Sequence, residues 1–340
     1  MKVYFSVLIT VVLMACGGPS VPDVSKVPVE LKLVRFERDL FSMDTTQLAN
    51  SIQQLQKKYP GFTQSFLYNI MGLNPQDSSL HSLQQFLHDY KPLFDSTEKT
   101  FVSLKDEESE MKQALQFVHH YFPKYNYPKT WYTFIGPMDA YFEAGLGGYG
   151  DAMMEEGMAS GLQLHLGSEF SFYHSEMGQA LYPNYISRKF TRETLVVNNV
   201  KNMVDELCGS VRYSSLIDQL VDKGRRLYLL DQLMPYAEDT IKIGYTKQQL
   251  QGCLDNEGRI WNYFVTNNLL LQTDPTIIKD YLGDAPKTPA LGDASPGYIG
   301  LFVGRQLVRK YMEKYPETSL EELVKMDPRK VYEGSKYRPK

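Results

Sequence analysis

The chain has 340 residues, with 36 lysines and arginines against 40 aspartates and glutamates and a formal charge of −4. A nucleic-acid partner presents phosphates that demand a basic face, so this balance argues against one. Tyrosine is frequent, 24 residues in all, which suits an extracytoplasmic protein with a partly wet, partly apolar surface.

Lys2, the apolar run from Val3 to Leu13 and the box Leu13-Met14-Ala15-Cys16 read as a charged n-region, an h-region and a lipoprotein cleavage site. The run is too short to span a bilayer, which takes about 20 apolar residues. Residues 1–15 are therefore expected to be a signal peptide and Cys16 the site of lipid attachment. Residues 16–28 then form an extended linker rich in Gly, Pro, Ser and Val. The partners expected on these grounds are a membrane, reached through the acyl chains of Cys16, and other envelope proteins. About 320 residues follow the leader, enough for one compact domain over 29–340.

Alternation over Glu30 to Phe36 predicts a strand. Asp44 or Thr45 then caps a helix with the stripe Leu48, Ile52 and Leu55, stopped by Pro60-Gly61. A second helix carries Leu80, Leu83, Leu87 and Tyr90. A third runs from about Asp106 to Tyr121, ending in His119-His120, whose side chains point about 100° apart and share no ligand face. Tyr121, Phe122, Tyr125, Tyr127, Trp131, Tyr132 and Phe134 crowd the next stretch. Strands are predicted at Trp131 to Ile135 and Gly161 to Leu166, with the loop Asp139 to Gly150 between them. The aromatic residues read as core, with a sugar-binding platform as the alternative. Gly145-x-Gly147-Gly148 lacks the lysine and helix of a phosphate loop. His165, Glu169 and His174 are one constellation with ligand chemistry, but Gly167-Ser168 interrupts it. No histidine follows His174, so no histidine-based site can be built wholly from the second half.

Two helices are predicted over Phe190 to Leu207 and Ser214 to Met234. On the first, Val196, Val200, Met203 and Leu207 form a buried stripe, and Asn198, Asn202 and Asp205 form a polar one beside it. Asn198-Asn199-Val200-Lys201-Asn202 has the spacing of H-E-x-x-H, in which two ligands at i and i+4 hold zinc and a carboxylate acts as base. Amides are weak zinc ligands and accept no proton near neutral pH. Two readings stay open, an ordinary polar flank and a peptidase helix without its metal. Beyond it, Thr246 and Gln249 spell a capping box for a long helix through Phe264, on which Cys253 lies. A Cys208–Cys253 bridge cannot be decided from sequence. Asp274-Pro275, Ser295-Pro296 and Asp327-Pro328 each open a helix, as does Thr318-x-x-Glu321. Gly297, Gly300 and Gly304 mark a close approach, expected against the Thr246 helix.

From about Leu220 onward several separated motifs occur in one order. They are Lys223-Gly224-Arg225-Arg226-Leu227-Tyr228-Leu229-Leu230-Asp231, Ile243-Gly244-Tyr245-Thr246, Asn256-Glu257-x-x-Ile260-Trp261, Ala285-Pro286, Ser295-Pro296-Gly297-x-Ile299-Gly300 with Gly304, and Ser335-Lys336-Tyr337-x-Pro339-Lys340. In these the chain resembles the gliding motility lipoprotein GldB family of Bacteroidetes. That family in turn resembles predicted zinc peptidases, whose ligands would fall near Asn198, Asn202 and Lys223. The resemblance implies a degenerate zincin-like arrangement in an α+β, predominantly helical fold with a small sheet. It also implies a pseudo-peptidase that acts by protein contact in or beside gliding and secretion machinery. Asn198, Asn202 and Lys223 would line the inherited groove, and no catalytic residue, metal or cofactor is expected. The alternatives are a zinc peptidase with atypical ligands and an envelope carbohydrate or peptide binder.

Overall fold

The computed structural model describes residues 21–74, 80–139, 150–210 and 214–340. Cys16 with its leader, and most of the glycine loop, lie outside the described residues. The fold is α+β and mostly helical, as expected, around one sheet of four strands: β1 (Lys32–Arg35), β2 (Thr130–Phe134), β3 (Asp151–Met154) and β4 (Gly157–Gly161). Their spatial order is β1-β2-β4-β3, parallel except for β3, which returns antiparallel to β4 through a tight turn at Glu155-Glu156.

Because side chains alternate along a strand, each face of the sheet gathers one set of residues. Val34, Phe134 and Ala159 join the N-terminal helices through Leu48, Ile52, Leu55, Phe62 and Phe66. Phe62 stacks on Tyr132 at 4.0 Å. Trp131 and Met158 face the other way, into a larger core shared with the C-terminal helices. Thr133, Ser160 and Asp151 lie on this second face in register across three strands, and all three are buried. A buried polar row must be hydrogen-bonded. Thr133 donates to Glu37 at 2.7 Å, and Ser160 accepts from the Trp131 indole at 2.9 Å.

Two long helices, Thr194–Cys208 and Leu216–Leu233, occupy the positions expected for the pair. The Thr194 helix lies on β3 and β4, and the Leu216 helix packs along Ile299–Lys314. This second crossing is backbone against backbone. A Cβ on Gly224 would fall 2.0 Å from the Gly304 carbonyl carbon, and one on Gly304 would fall 1.9 Å from the Leu220 oxygen. The glycine face thus packs on the Leu216 helix, and not on the helix that begins after Thr246. Across the same junction Arg305 donates to Asp231 at 2.7 and 2.6 Å. Buried Lys242 and half-exposed Asp239 complete the ion network.

Several local expectations change. The stretch Gly161 to Leu166 is not a strand: β4 ends at Gly161 and a 3₁₀ turn covers Leu162–Leu164. Leu162 and Leu164 are both buried, so their i, i+2 spacing imitated a strand. The true strand, Gly-Met-Ala-Ser-Gly, is made of residues with little strand preference and is fixed by burial on both faces. Pro60 opens a further helix, Pro60–Gln64, in addition to ending the one before it. The helix predicted from Thr246 through Phe264 is two, Lys247–Asp255 and Glu257–Thr266. The break lets the C-terminus dock: Tyr337 donates to Glu257 at 2.5 Å, and the Lys340 carbonyl lies where a Cβ on residue 258 would go. Ser295 does not cap a helix; it ties down its own loop through Gly292 and Thr288, and the helix starts at Ile299. The last capping box is Ser319 with Glu322, one residue beyond the expected pair. Cys208 and Cys253 are buried and unbridged.

Candidate functional site

The Thr194 helix presents one edge to β3 and another to a cavity. Toward β3 its asparagines are donors. Asn198 donates to Asp151 at 3.1 Å, and Asn202 to the Asp151 carbonyl at 3.1 Å. The Asn199 amide reaches Asp151 at 3.2 Å, Ser160 at 2.8 Å and the Leu195 carbonyl at 2.8 Å. Asp151 also pairs with His165 Nε2 at 2.9 Å, while His165 Nδ1 lies 3.1 Å from the Thr194 hydroxyl. Asp151 and His165 are each 1% exposed. The carboxylate is thus the centre of a closed polar cluster, with amides and an imidazole arranged around it.

This geometry settles where the residues singled out from sequence stand. Asn198 is half-buried and reaches the cavity; Asn202 is buried against β3; Lys223 is half-buried on the Leu216 helix and does not line the cavity. His165 is separated from its supposed companions, since His174 is exposed and bonds the Ser168 carbonyl at 2.9 Å and Glu169 is exposed. Among the described residues, no three His, Cys, Asp or Glu side chains are grouped to hold a metal ion. Trp131, Phe122 and Phe134 are buried, so these rings serve packing.

The cavity measures about 120 Å3 and lies between the segment 188–191, the Thr194 helix and the short helix Asp239–Ile243. A second, narrower pocket of about 30 Å3 shares Arg188, Lys189, Lys201, Gly244 and Tyr245 with it. Its remaining wall brings together Ala285-Pro286 and Pro296-Gly297-Tyr298. Three motifs far apart in sequence therefore meet here. Gly244 ends its helix at φ 78°, in the left-handed region, and its carbonyl accepts from Arg188 at 2.9 Å. Gly297 sits where a Cβ would fall 1.9 Å from the Ala285 oxygen. Tyr298 holds a left-handed φ of 57°, unusual for a bulky side chain, and its carbonyl accepts from the Tyr245 hydroxyl at 3.0 Å.

The lining is cationic. Lys189 pairs with Asp284 at 2.7 Å. Lys201 is 5% exposed, lines both pockets, and among the described residues has no hydrogen bond or ion pair. Burial first, and then the charge of Lys189, lowers its pKa to about 8. Burial also lowers Lys189 and Arg188. Sequence reasoning passed over Lys201 and Asp151. Lys201 stands three residues after Asn198 and so on the same helical face, a legible signal. Asp151 opens a four-residue strand whose only mark was the Glu-Glu-Gly turn that follows it.

A family model for the gliding motility protein GldB matches residues 18–339. The chain belongs to the gliding motility protein GldB family. The match takes in both layers of helices and the sheet between them, and so every residue of the asparagine cluster and the cavity. No curated protein and no solved structure matches the chain. Among the described residues no helix is long and apolar enough to cross a membrane.

Proposed function

We propose that the chain is a cell-envelope lipoprotein of the gliding apparatus, anchored through Cys16, that works by protein contact and hydrolyses no peptide. The observation that carries the non-enzymatic part is the engagement of the asparagines. At the positions where a zinc peptidase would present two ligands and a base, Asn198, Asn199 and Asn202 turn N–H groups toward Asp151. The amide nitrogens are committed as donors to the Asp151 carboxylate and backbone carbonyl, and an amide is a weak zinc ligand and no base for water near neutral pH. The surrounding helices keep their packing without that chemistry, which supports retention for binding. Asn198, Asn202 and Lys223 remain the proposed markers of the contact region, with Asn198 the one that reaches open space.

Two variants in a gliding organism test this reading. Cys16→Ala should move the protein from the membrane fraction to the soluble fraction, because the acyl chains are its proposed anchor. Unchanged fractionation would contradict the lipoprotein assignment. Asn198→Trp, which places bulk at the cavity wall, should abolish complementation of motility while circular dichroism and membrane fractionation stay normal. Normal motility from that variant would remove the contact role of this face. A family-specific peptidase activity in the purified chain, lost on Asp151→Asn, would favour the peptidase alternative instead.

A further inference from the structure

We propose that the cavity between the Thr194 helix and the segment 188–191 is a binding site for a doubly charged oxyanion of the phosphate class. Arg188, Lys189 and Lys201 line it, and Asp284, in the adjoining narrower pocket, is the one carboxylate among the described lining residues of the two. Among the described residues Lys189 is paired with Asp284, while Arg188 and Lys201 have no carboxylate in contact, and Lys201 feels Asp151 and Asp205 only at a distance. Charges buried without partners are costly, and a site that holds them is complete only when something anionic enters. Lys201 gives the strongest indication. Its stem is packed into the helix interface, its ammonium meets no acceptor among the described residues, and both pockets open onto it.

The backbone supports the same assignment. The Gly244 carbonyl and the Gln249 side chain both accept from the Arg188 Nη2, which fixes the guanidinium at the cavity wall and leaves its Nε and Nη1 donors toward a ligand. Lys189 is held by Asp284 from the side of the narrower pocket, so the space between Lys189, Lys201 and Arg188 is bordered by cations. The main cavity, about 120 Å3, far exceeds the roughly 10–15 Å3 that admits one water. A carboxylate would leave one of the two positive charges unmatched, whereas a phosphate dianion matches both. The phosphate could be inorganic or the head of a monoester, and the two share this recognition.

The test uses the purified chain in a buffer free of phosphate. Inorganic phosphate, glycerol 3-phosphate, sulfate and acetate are titrated separately while thermal unfolding and phosphorus NMR linewidths are followed. Binding to the native state raises Tm with ligand concentration. Inorganic phosphate or glycerol 3-phosphate should raise Tm in a saturable way, and the one that binds more tightly identifies free phosphate or a monoester as the source. Lys201→Met and, independently, Arg188→Gln should each weaken that affinity by about tenfold or more, and Lys247→Gln, at an exposed position, should leave it unchanged. The absence of any saturable response to either phosphate compound would overturn the proposal. So would acetate binding as tightly as phosphate, or wild-type affinity in both cavity variants.

Discussion

Replacing Lys201 by methionine should make this protein more stable, and the size of the gain follows from where the lysine sits. The side chain is 5% exposed, and burial together with the nearby Lys189 brings its pKa from 10.5 to about 8. At 1.36 kcal/mol per pH unit this corresponds to on the order of 3 kcal/mol against the folded state. The sign is fixed by proton counting. Below pH 8 lysine is protonated in both states, and the folded state bears the whole cost. Between about 8 and 10.5 the folded chain releases the proton while the unfolded chain keeps it, so wild-type stability rises relative to the variant. Methionine keeps the apolar stem and removes the charge. Urea unfolding of both proteins in phosphate-free buffer, followed by tryptophan fluorescence, should show the variant ahead by roughly 3 kcal/mol near neutral pH. The gap should close as pH approaches 10.5. A gap that stays constant across this range, or a variant less stable at neutral pH, would refute the reasoning from buried charge.

Other perturbations probe the scaffold around the cavity. Gly304→Val places carbon where the Leu220 carbonyl already lies 1.9 Å from a Cβ, and it should destabilise by about 3 kcal/mol or more, read as a lowered urea midpoint. Arg305→Ala strips the buried Asp231 carboxylate, and the half-exposed Asp239, of their shared guanidinium. Lys242 and Arg309 remain on Asp231, so the loss of this buried two-bond pair should cost about 3 kcal/mol, toward the low end for a broken buried pair, whereas Arg309→Ala, at the half-exposed edge of the same network, should cost about 1 kcal/mol or less. The purified chain should contain no stoichiometric zinc by elemental analysis, and a chelator should leave its Tm unchanged. One tightly held zinc per chain, lost on His165→Ala, would restore the peptidase reading.

Helix existence was legible wherever an apolar stripe coincided with a cap. The stripe Leu48, Ile52 and Leu55, the pair of helices flanking 209–214, the Thr246 capping box and the Asp274 and Asp327 caps all occur as residues near one another in sequence dictate. Such signals are local, because capping hydrogen bonds and i, i+4 neighbours lie within one or two turns. The motif order likewise gave the family before any geometry was known. What tertiary structure alone decided was partnership. Nothing in Gly224 or Gly304 names the other as its neighbour, and the β4 strand of small residues exists because both of its faces are covered. Asp151 gathers three asparagines and a histidine from elements up to 51 residues away, and Lys201 meets Lys189 and Arg188 only when the chain has closed around them. A polar side chain's partners in the core are set by packing across the fold, which one-dimensional periodicity does not encode; for that reason the sequence determined the elements and the family, and the folded structure determined the site.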